Sequence, residues 1–375
     1  MNNSRLKIIC PTQYPWTFNG PRNSRHEIER RKFIPFNKIS SKIEGITIFN
    51  PLPIRRFDFI HGFNRIPLGK KPYIIGFESH LPRAFGMEQT KYFDKLLHSL
   101  AGDRCRGIFA ISEYAKRQFI KQHKNHPLFE TLIKKLRVRY PNMPIPRTAD
   151  IFDRRIHKIN LVFIGNHFVR KGGVAILKLA QLAKDENIPI HIDIISSLQM
   201  GKVSWVDPLS PTYSTRYKDI LKKIDNVTVH GALQNNKVLE IVRKSHFSLL
   251  PTFSDTFGFS AIESMANSIP VMATAQGALP EFITDGENGF LLPLKTDEVG
   301  EWVHIGYDNR ASLVYENLFD EECDRLAEAM LLNIKNIMKN DQAYLEMRKN
   351  AHAKAQQLFC ADEANIFWDN LYSTL

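Results

Sequence analysis

Short apolar runs bounded by polar residues recur through the first part of the chain and predict β-strands. These runs are LKIIC (6–10), ITIFN (46–50), FDFIHGF (57–63), YIIGF (73–77) and GIFAIS (107–112). Two segments between them, TKYFDKLLHSLA (90–101) and EYAKRQFIKQH (113–123), space their apolar residues as an amphipathic helix does. Strands that alternate with helices predict an α/β fold built on a parallel sheet.

A second series of the same kind begins after the Pro-rich stretch YPNMPIPRTAD (140–150), which we interpret as an inter-domain linker. Its predicted strands are INLVFIGN (159–166), IHIDIIS (190–196), VTVHG (227–231), FSLLP (247–251) and PVMAT (270–274). Its predicted helices are GGVAILKLAQLAKDEN (172–187), NNKVLEIVRKS (235–245), FSAIESMAN (259–267) and the terminal NIFWDNLYSTL. We therefore predict two doubly wound domains, residues 1–150 and 151–357, and a terminal helix within 358–375. Ligands of such sheets bind beyond the carboxyl ends of the strands.

The composition is that of an ordinary globular protein, with 43% of the 375 residues hydrophobic and 24% charged. No apolar run reaches the roughly 20 residues of a membrane-spanning helix. The N-terminal MNNSRLKIICPTQYPW lacks the apolar core of a secretory signal. The four cysteines follow no metal-binding or redox spacing. These features predict a cytoplasmic protein with reduced thiols.

The charge is divided unevenly along the chain. Residues 1–150 hold 28 Lys and Arg against 11 Asp and Glu, a net charge of +17, whereas the remainder carries −5. A basic first half joined to a mildly acidic second half indicates that the first half faces a polyanion. Both nucleic acid and an anionic membrane surface fit this description.

The stretch FIGNHFVRKGG (163–173) places a basic loop between a predicted strand and a predicted helix. Arg170 and Lys171 precede two glycines, which let a ligand approach the backbone at a helix start that favours anions. Lys171 is therefore a candidate phosphate ligand. A solvated basic loop is the alternative.

The stretch PTFSDTFGFSAIESMANSIPVMAT (251–274) places two acids at the next such turn. Asp255 lies before the helix and Glu263 about one turn into it, where both carboxylates can accept hydrogen bonds from the vicinal hydroxyls of a ribose or a hexose. The amides of Phe257, Gly258 and Phe259 open the helix and suit phosphate or hydroxyl oxygens. The alternative is an N-cap Asp followed by a surface Glu.

Together with GALPEFITDGENGFLLP (277–293), these motifs resemble, in order and spacing, the C-terminal domain of glycosyltransferase family 4. The resemblance extends over about residues 157–295 and is weaker over 1–150. It implies a GT-B fold, in which two Rossmann-like domains face a central cleft and the C-terminal helix crosses back to the N-terminal domain. It also implies transfer of a sugar from a nucleotide donor with retention of configuration.

The resemblance implies a role for each candidate residue. Lys171 binds the donor diphosphate, Glu263 the ribose and Asp255 the sugar hydroxyls, while the amides of residues 257–259 contact the sugar and the phosphate. Gly20, in FNGPR after the first strand, corresponds to a glycine loop that faces the diphosphate.

Three places depart from the family pattern. Asp255 stands where the family usually has a Glu, which is one methylene longer. Asn166 stands where the family often has a second cation for the diphosphate, a charge that Arg170 is placed to supply. Glu78 occupies the position of a family His near the sugar, and His80 lies two residues on. We expect one of these two to contact the donor sugar or the incoming hydroxyl.

The sequence contains no D-x-D motif for a divalent metal, so we expect a reaction without a metal or other cofactor. Lys171, Arg170 and the helix start near Phe259 would stabilise the departing diphosphate. The resemblance implies attack from the face that the diphosphate leaves, with its oxygen taking the acceptor proton.

The resemblance assigns acceptor binding to the N-terminal domain, which carries the +17 here. We expect Arg22, Arg25 and His61 to contact a glycan or a lipid-linked anion, in surface polysaccharide or lipopolysaccharide synthesis at the inner membrane face. The helix predicted at 90–101 lies on an anionic membrane in one interpretation. In the other, its apolar face turns to the core.

Two other function classes stay open. A basic polyanion-binding protein would explain the net charge of +12. However, aromatic residues do not interleave with the basic ones as a nucleic-acid platform requires, and we expect no nucleic-acid partner. A sugar-nucleotide epimerase or a phosphorylase shares the GT-B fold, but the spacing of Asp255 and Glu263 favours a transferase. The sequence leaves the donor open between UDP- and GDP-sugars.

Overall fold

The computed structural model describes residues 5–12, 16–36, 40, 43–49, 56–147 and 158–375. The chain divides into two compact units, Met1–Pro144 with Leu358–Leu375, and Ile145–Gln357. The predicted domain boundary after residue 150 lies in the segment 148–157, outside the described residues. The terminal residues therefore form part of the first unit.

The first unit is built on a parallel sheet, flanked in its described part by a small second sheet and by helices. In chain order its strands are β1 (Lys7–Pro11), β2 (Glu27–Arg31), β3 (Phe33–Pro35), β4 (Ile46–Phe49), β5 (Phe59–Phe63), β6 (Ile66–Pro67), β7 (Tyr73–Phe77), β8 (Cys105–Ala110) and β9 (Leu136–Val138). The helices among them are α1 (Lys91–Ala101), α2 (Glu113–His123) and α3 (Phe129–Lys135). The parallel sheet has the order β2-β1-β5-β7-β8-β9, and the second sheet the order β3-β4-β6.

The second unit is a doubly wound domain with a single parallel sheet in its described residues. Its strands are β10 (Ile159–Ile164), β11 (Ile190–Ile195), β12 (Val227–Val229), β13 (Phe247–Leu250), β14 (Val271–Thr274) and β15 (Gly289–Leu292). Its helices are α4 (Gly173–Asp185), α5 (Tyr213–Lys223), α6 (Asn235–Lys244), α7 (Phe259–Ala266), α8 (Leu313–Ile337) and α9 (Asp341–Phe359), the last of which runs to the start of the terminal segment. The sheet order β12-β11-β10-β13-β14-β15 reverses between β10 and β13, which makes this the topological switch point.

The strand β10 separates two packing layers because successive side chains of a strand point to opposite faces. Leu161 and Phe163 belong to the core shared with α4, α5 and α8. Val162, between them, packs with Val238 and Val242 of α6. The predicted strands and helices of both units are confirmed, with their ends shifted by a few residues at most.

The terminal helix α10 (Ala361–Tyr372) completes the core of the first unit. Trp368 and Tyr372 are buried against strand residues that come from four different strands, namely Ile8, Phe59, Ile74 and Phe109. The helix therefore closes one face of the sheet.

The helix α1 turns its apolar face to the interior. Phe93, Leu96, Leu97 and Leu100 are all buried, so the core-facing interpretation is confirmed and this face is not exposed to a membrane. Within the described part of the chain, the helices are too short or too polar to span a bilayer.

We predict that Trp368→Ala lowers the free energy of unfolding by about 3–5 kcal/mol, because it leaves a cavity between the sheet and α10. Urea denaturation followed by circular dichroism measures the change. Ile366→Ala is the matched control, since Ile366 lies on the same helix and is 56% exposed. The control should change the free energy by less than about 0.5 kcal/mol. Equal unfolding midpoints for the two variants would contradict the role given to α10.

Candidate functional site

The carboxyl ends of β10 and β13 lie side by side, because these strands pair in parallel with Phe163 opposite Leu249. The basic loop (residues 165–172) follows β10 and the acidic loop (residues 251–258) follows β13. Both loops therefore leave the sheet at its switch point, where doubly wound sheets bind their ligands. The sequence-predicted residues of the second unit all lie on these loops or on α7.

The two loops contact one another directly. The amide of Phe253 and the hydroxyl of Thr252 both donate to the carbonyl oxygen of Arg170, at 2.9 and 3.2 Å. Gly172 has a φ of +90°, and a Cβ at this position would lie 2.0 Å from the carbonyl oxygen of Pro251. Glycine is thus required here by the approach of the loops, where the sequence suggested the approach of a ligand.

Lys171 and Asp255 form an ion pair at the contact between the loops, with Nζ donating to Oδ2. Their side chains are only 17% and 10% exposed. Burial acts to raise the pKa of the Asp255 carboxyl, but Lys171 and Arg170 outweigh it and hold that pKa below its ordinary value. The structure therefore brings together the residues predicted to bind the diphosphate and the sugar.

Arg170 also contacts the acidic loop, next to the ion pair. Its Nη1 donates to the carbonyl oxygen of Ser254, and its guanidinium carbon lies 5.0 Å from the centroid of the Trp205 ring. Burial lowers the pKa of Arg170, while Asp255 and Asp207 act to raise it. Its predicted contact with a diphosphate stays a prediction.

The helix α7 begins where the sequence predicted, and Gly258 caps it with a φ of +89°. A Cβ on Gly258 would lie 2.7 Å from Leu279 Cδ2, so this turn needs glycine. The side chain of Phe257 is buried, and its amide donates to Asp255 Oδ1 at 3.4 Å. A ligand contact by this amide would have to replace that bond. The amides of Gly258 and Phe259 lie at the N-terminal end of α7, the end of a helix that favours negatively charged groups.

Glu263 lies one turn into α7 and is partly buried. Its Oε1 accepts a hydrogen bond from Asn235 Nδ2, at 3.4 Å, at the start of α6. This carboxylate therefore faces the layer that contains α6.

A second polar pair, which the sequence did not indicate, joins β11 to the residue after β12. His230 Nε2 lies 2.6 Å from Asp193 Oδ1.

The Trp205 loop (residues 196–212) follows β11 and was missed at the sequence level. Within this loop, Asp207 is fully buried and accepts a hydrogen bond from the Gly201 amide at 2.8 Å. Burial raises the pKa of the Asp207 carboxyl to about 6. A Trp within a polar, Ser- and Pro-containing stretch was the only signal available in the sequence.

In the first unit, Glu78 and His80 follow β7. Glu78 Oε1 accepts a hydrogen bond from Asn64 Nδ2 at 3.2 Å and lies 3.4 Å from Arg83 Nη2. The His80 ring lies 5.2 Å from the Phe85 ring, centroid to centroid. Both side chains are partly buried, and their predicted contact with the reacting sugar stays a prediction.

The expected acceptor contact of His61 needs correction, because its side chain is fully buried. Its Nδ1 lies 2.7 Å from the Tyr372 hydroxyl, and its ring packs between Trp16 and Trp368. Burial lowers the pKa of His61 to about 3, so the imidazole is neutral. This position gives His61 a place in the core.

Arg22 and Arg25, also expected at the acceptor, fasten the terminal segment in this structure. Arg22 Nη2 donates to the carbonyl oxygen of Asn142 at 2.9 Å, and its amide donates to Asn365 Oδ1 at 2.8 Å. Arg25 Nη2 donates to Ser373 Oγ at 2.7 Å. Each guanidinium group thus has a structural partner, but both residues are exposed, and their expected contact with an acceptor stays a prediction.

Gly20 packs against an aromatic side chain. A Cβ here would lie 2.4 Å from the Trp16 ring, and the Gly20 carbonyl accepts a hydrogen bond from Asn142 Nδ2 at 2.9 Å. Packing thus explains the glycine, and its expected approach to the diphosphate stays a prediction.

Among the described residues, no three His, Cys, Asp or Glu side chains are placed to share a metal ion.

Residues 158–303 match the family model described as Glycosyl transferases group 1. Among curated proteins, the chain is similar to an uncharacterized glycosyltransferase of Methanocaldococcus jannaschii, with 38% identity over 19% of this chain and 23% of that protein. It is also similar to the D-inositol 3-phosphate glycosyltransferase of Mycolicibacterium smegmatis, with 30% identity over 24% of this chain and 21% of that protein. The matches thus span less than a quarter of each of these relatives.

Solved structures resemble the whole chain at low identity. HepE of Anabaena, solved with UDP-glucose, is 13% identical with a TM-score of 0.60, over 99% of this chain and 100% of that one. A glycosyltransferase of Rickettsia africae is 11% identical with a TM-score of 0.62, over 99% and 98%. Sucrose-phosphate synthase of Thermosynechococcus elongatus is 13% identical with a TM-score of 0.58, over 99% of both chains. These likenesses confirm the GT-B fold. The family match confirms the resemblance to glycosyltransferase family 4 over residues 158–303.

The ion pair at the loop contact predicts a pH-dependent coupling. A double-mutant cycle of Lys171→Met and Asp255→Asn should give a coupling free energy of about 1–3 kcal/mol at pH 7, since both partners are largely buried. The pKa of Asp255 is lower in the folded protein than in the unfolded chain. The coupling is therefore fully present above about pH 4 and is lost as the pH falls through the folded value.

Urea denaturation of the four proteins of the cycle at several pH values measures this coupling. The ion pair of Lys184 and Asp225 offers a matched control, because these side chains are 48% and 72% exposed. Exposed pairs contribute little to stability. A coupling between Lys171 and Asp255 no larger than that of the control pair would rule out the predicted effect.

Proposed function

We propose that the protein is a retaining glycosyltransferase that moves a hexose-type sugar from a UDP- or GDP-sugar to a glycan or lipid-linked acceptor. The observation that carries the proposal is the meeting of Lys171, Asp255 and the start of α7 at the switch point of the second sheet. The family match over this unit supports it. The structure of HepE with UDP-glucose supports a nucleotide-sugar donor.

The donor diphosphate lies between Lys171 and the start of α7 in this proposal. An ammonium group and the amides of a helix start both stabilise the negative charge that develops as the diphosphate leaves. The diphosphate oxygens compete with Asp255 for Lys171. The Asp255 carboxylate then becomes available to accept hydrogen bonds from the sugar hydroxyls.

The ribose of the donor lies at Glu263, on the side of α6. Its two hydroxyls donate to the Glu263 carboxylate, which Asn235 orients. Ribose and sugar thus have separate carboxylates, on either side of the α7 start.

The reaction proceeds with attack of the acceptor hydroxyl on the face from which the diphosphate departs. The new bond joins the acceptor oxygen to the anomeric carbon as the bond to the diphosphate breaks, and a diphosphate oxygen takes the acceptor proton. Glu78 or His80 remains our prediction for a contact with the sugar or the incoming hydroxyl.

The acceptor proposal rests on the charge of residues 1–150, which is +17. Such a charge attracts an anionic lipid-linked acceptor and the inner face of a membrane, with which the protein would associate peripherally from the cytoplasm. Surface polysaccharide or lipopolysaccharide synthesis is the proposed setting.

A panel of nucleotides tests the function. The melting temperature should rise with UDP, GDP or ADP, because a ligand of the native state stabilises it. Glu263→Gln should bind the responding nucleotide about ten-fold more weakly, since it loses a charge-assisted hydrogen bond to the ribose. It should also lose the preference for that nucleotide over its 2′-deoxy form, as measured by titration calorimetry.

The matched control for this variant is Glu240→Gln, because Glu240 pairs with Lys237 on the exposed side of α6. The control should bind the nucleotide as the wild type does. A wild-type protein whose melting temperature responds to none of the three nucleotides would refute the proposed function.

We predict that donor turnover persists in excess EDTA, because Lys171 and the start of α7 supply the positive charge that the leaving diphosphate needs. Liquid chromatography of the released nucleoside diphosphate measures turnover, and EDTA saturated with magnesium serves as the control for non-specific effects. Complete loss of turnover that added manganese restores would show that the proposal of a metal-free reaction is wrong.

A further inference from the structure

Trp205 differs from the other tryptophans of the chain in its exposure. It is 52% exposed, whereas Trp16, Trp302 and Trp368 are at most 2% exposed. An indole left in water forgoes a large gain from burial, and exposed aromatic side chains on rigid supports are typical of binding surfaces.

The Trp205 loop is held in place on both sides of the indole. Arg310 Nη1 donates to the carbonyl oxygens of Ser204 and Asp207, each at 2.8 Å. The Tyr315 hydroxyl donates to the carbonyl oxygen of Val206 at 2.5 Å. The backbone that carries the indole is therefore held by the fold.

The side chain of Arg170 lies between Trp205 and the proposed sugar site at Asp255. The Arg170 guanidinium covers part of the indole, with its carbon 5.0 Å from the ring centroid. The same guanidinium acts on Asp255 and helps to lower the pKa of its carboxyl. Arg170 thus connects the indole with the carboxylate that we assign to the sugar hydroxyls.

The residue next to the indole and the proposed ribose site pack on opposite faces of the sheet. Val206, next to Trp205, belongs to the core formed with α4, α5 and α8. Glu263 instead contacts Asn235 of α6, the helix that packs on the other face of β10. With the ribose at Glu263 and the sugar at Asp255, Arg170 joins the indole to the sugar end of the proposed donor.

We propose that Trp205 stacks against the apolar face of a pyranose ring held at Asp255. The C–H bonds of a pyranose form an apolar face that suits an indole, while its hydroxyls lie around the rim, where a carboxylate accepts their hydrogen bonds. The inference rests on the proposed function, because it requires a sugar at Asp255. The ring belongs either to the donor or to the acceptor.

Binding measurements on Trp205→Ala, Trp205→Phe and Val203→Ala test the proposal. Val203 is the matched control, because it lies on the same loop and is also 52% exposed. Trp205→Ala should bind the nucleoside diphosphate within about two-fold of the wild type. It should bind the nucleotide sugar, or use a saccharide acceptor, roughly three- to ten-fold less well. Trp205→Phe should restore most of this loss, and Val203→Ala should match the wild type.

Acrylamide quenching of tryptophan fluorescence gives a second, direct measurement. The difference between the wild type and Trp205→Phe isolates the signal of Trp205, since the other three indoles are buried. Shielding by the nucleotide sugar, beyond that by the nucleoside diphosphate, assigns the ring to the donor. Shielding that needs added soluble mono- or disaccharides together with the nucleotide assigns it to the acceptor.

Three results would overturn the inference. Quenching that no sugar changes, or full shielding by the nucleotide without its sugar, would show that Trp205 does not meet a pyranose. A Trp205→Ala variant that binds and turns over every substrate as well as the wild type does would exclude the stacking. A wild type that binds no nucleotide would instead refute the proposed function, and this inference with it.

Discussion

The close approach of the basic and acidic loops is the constraint on which the rest of the second unit's site depends. Parallel pairing of β10 with β13 brings the two loops to one point of the sheet edge, and the absence of a side chain at Gly172 lets them touch. The carbonyl oxygen of Arg170 then accepts two hydrogen bonds from the acidic loop. Lys171 and Asp255 meet as a consequence of this backbone contact, and their ion pair neutralises the charges that it buries.

The parallel strands were predictable because a strand buried on both faces reads as a continuous apolar run. INLVFI in β10 and YIIGF in β7 are of this kind. The edge strand β2, EIERR, escaped prediction because four of its five residues are charged and no apolar run marks it as a strand. There Glu29 pairs with Lys7 and Arg31, a contact that no local pattern reveals. The loops of the candidate site were predictable because their residues follow one another closely in the sequence.

The residues expected at the acceptor show why the remainder was not predictable. Arg22, Arg25 and His61 contact the segment 365–373, more than 300 positions away along the chain. Residue type alone suggested an anionic ligand, whereas the fold supplies carbonyls, a hydroxyl and aromatic rings as partners. Trp205 was missed because its own stretch of sequence carries no sign of a binding site. Its position beside Arg170 depends on contacts with residues far away in the sequence, such as the bond from Tyr315 to Val206.

The position of α10 in the first unit has a consequence for the synthesis of the chain. The core that contains Ile8 and Phe59 also contains Trp368 and Tyr372, so it cannot close until α10 has left the ribosome. Residues of the second unit, Ile145–Gln357, are contiguous and emerge earlier. Domains usually fold in the order of their translation. Here the strands of the first unit emerge before the second unit does, and they remain without the cover of α10 until residues 361–372 have emerged.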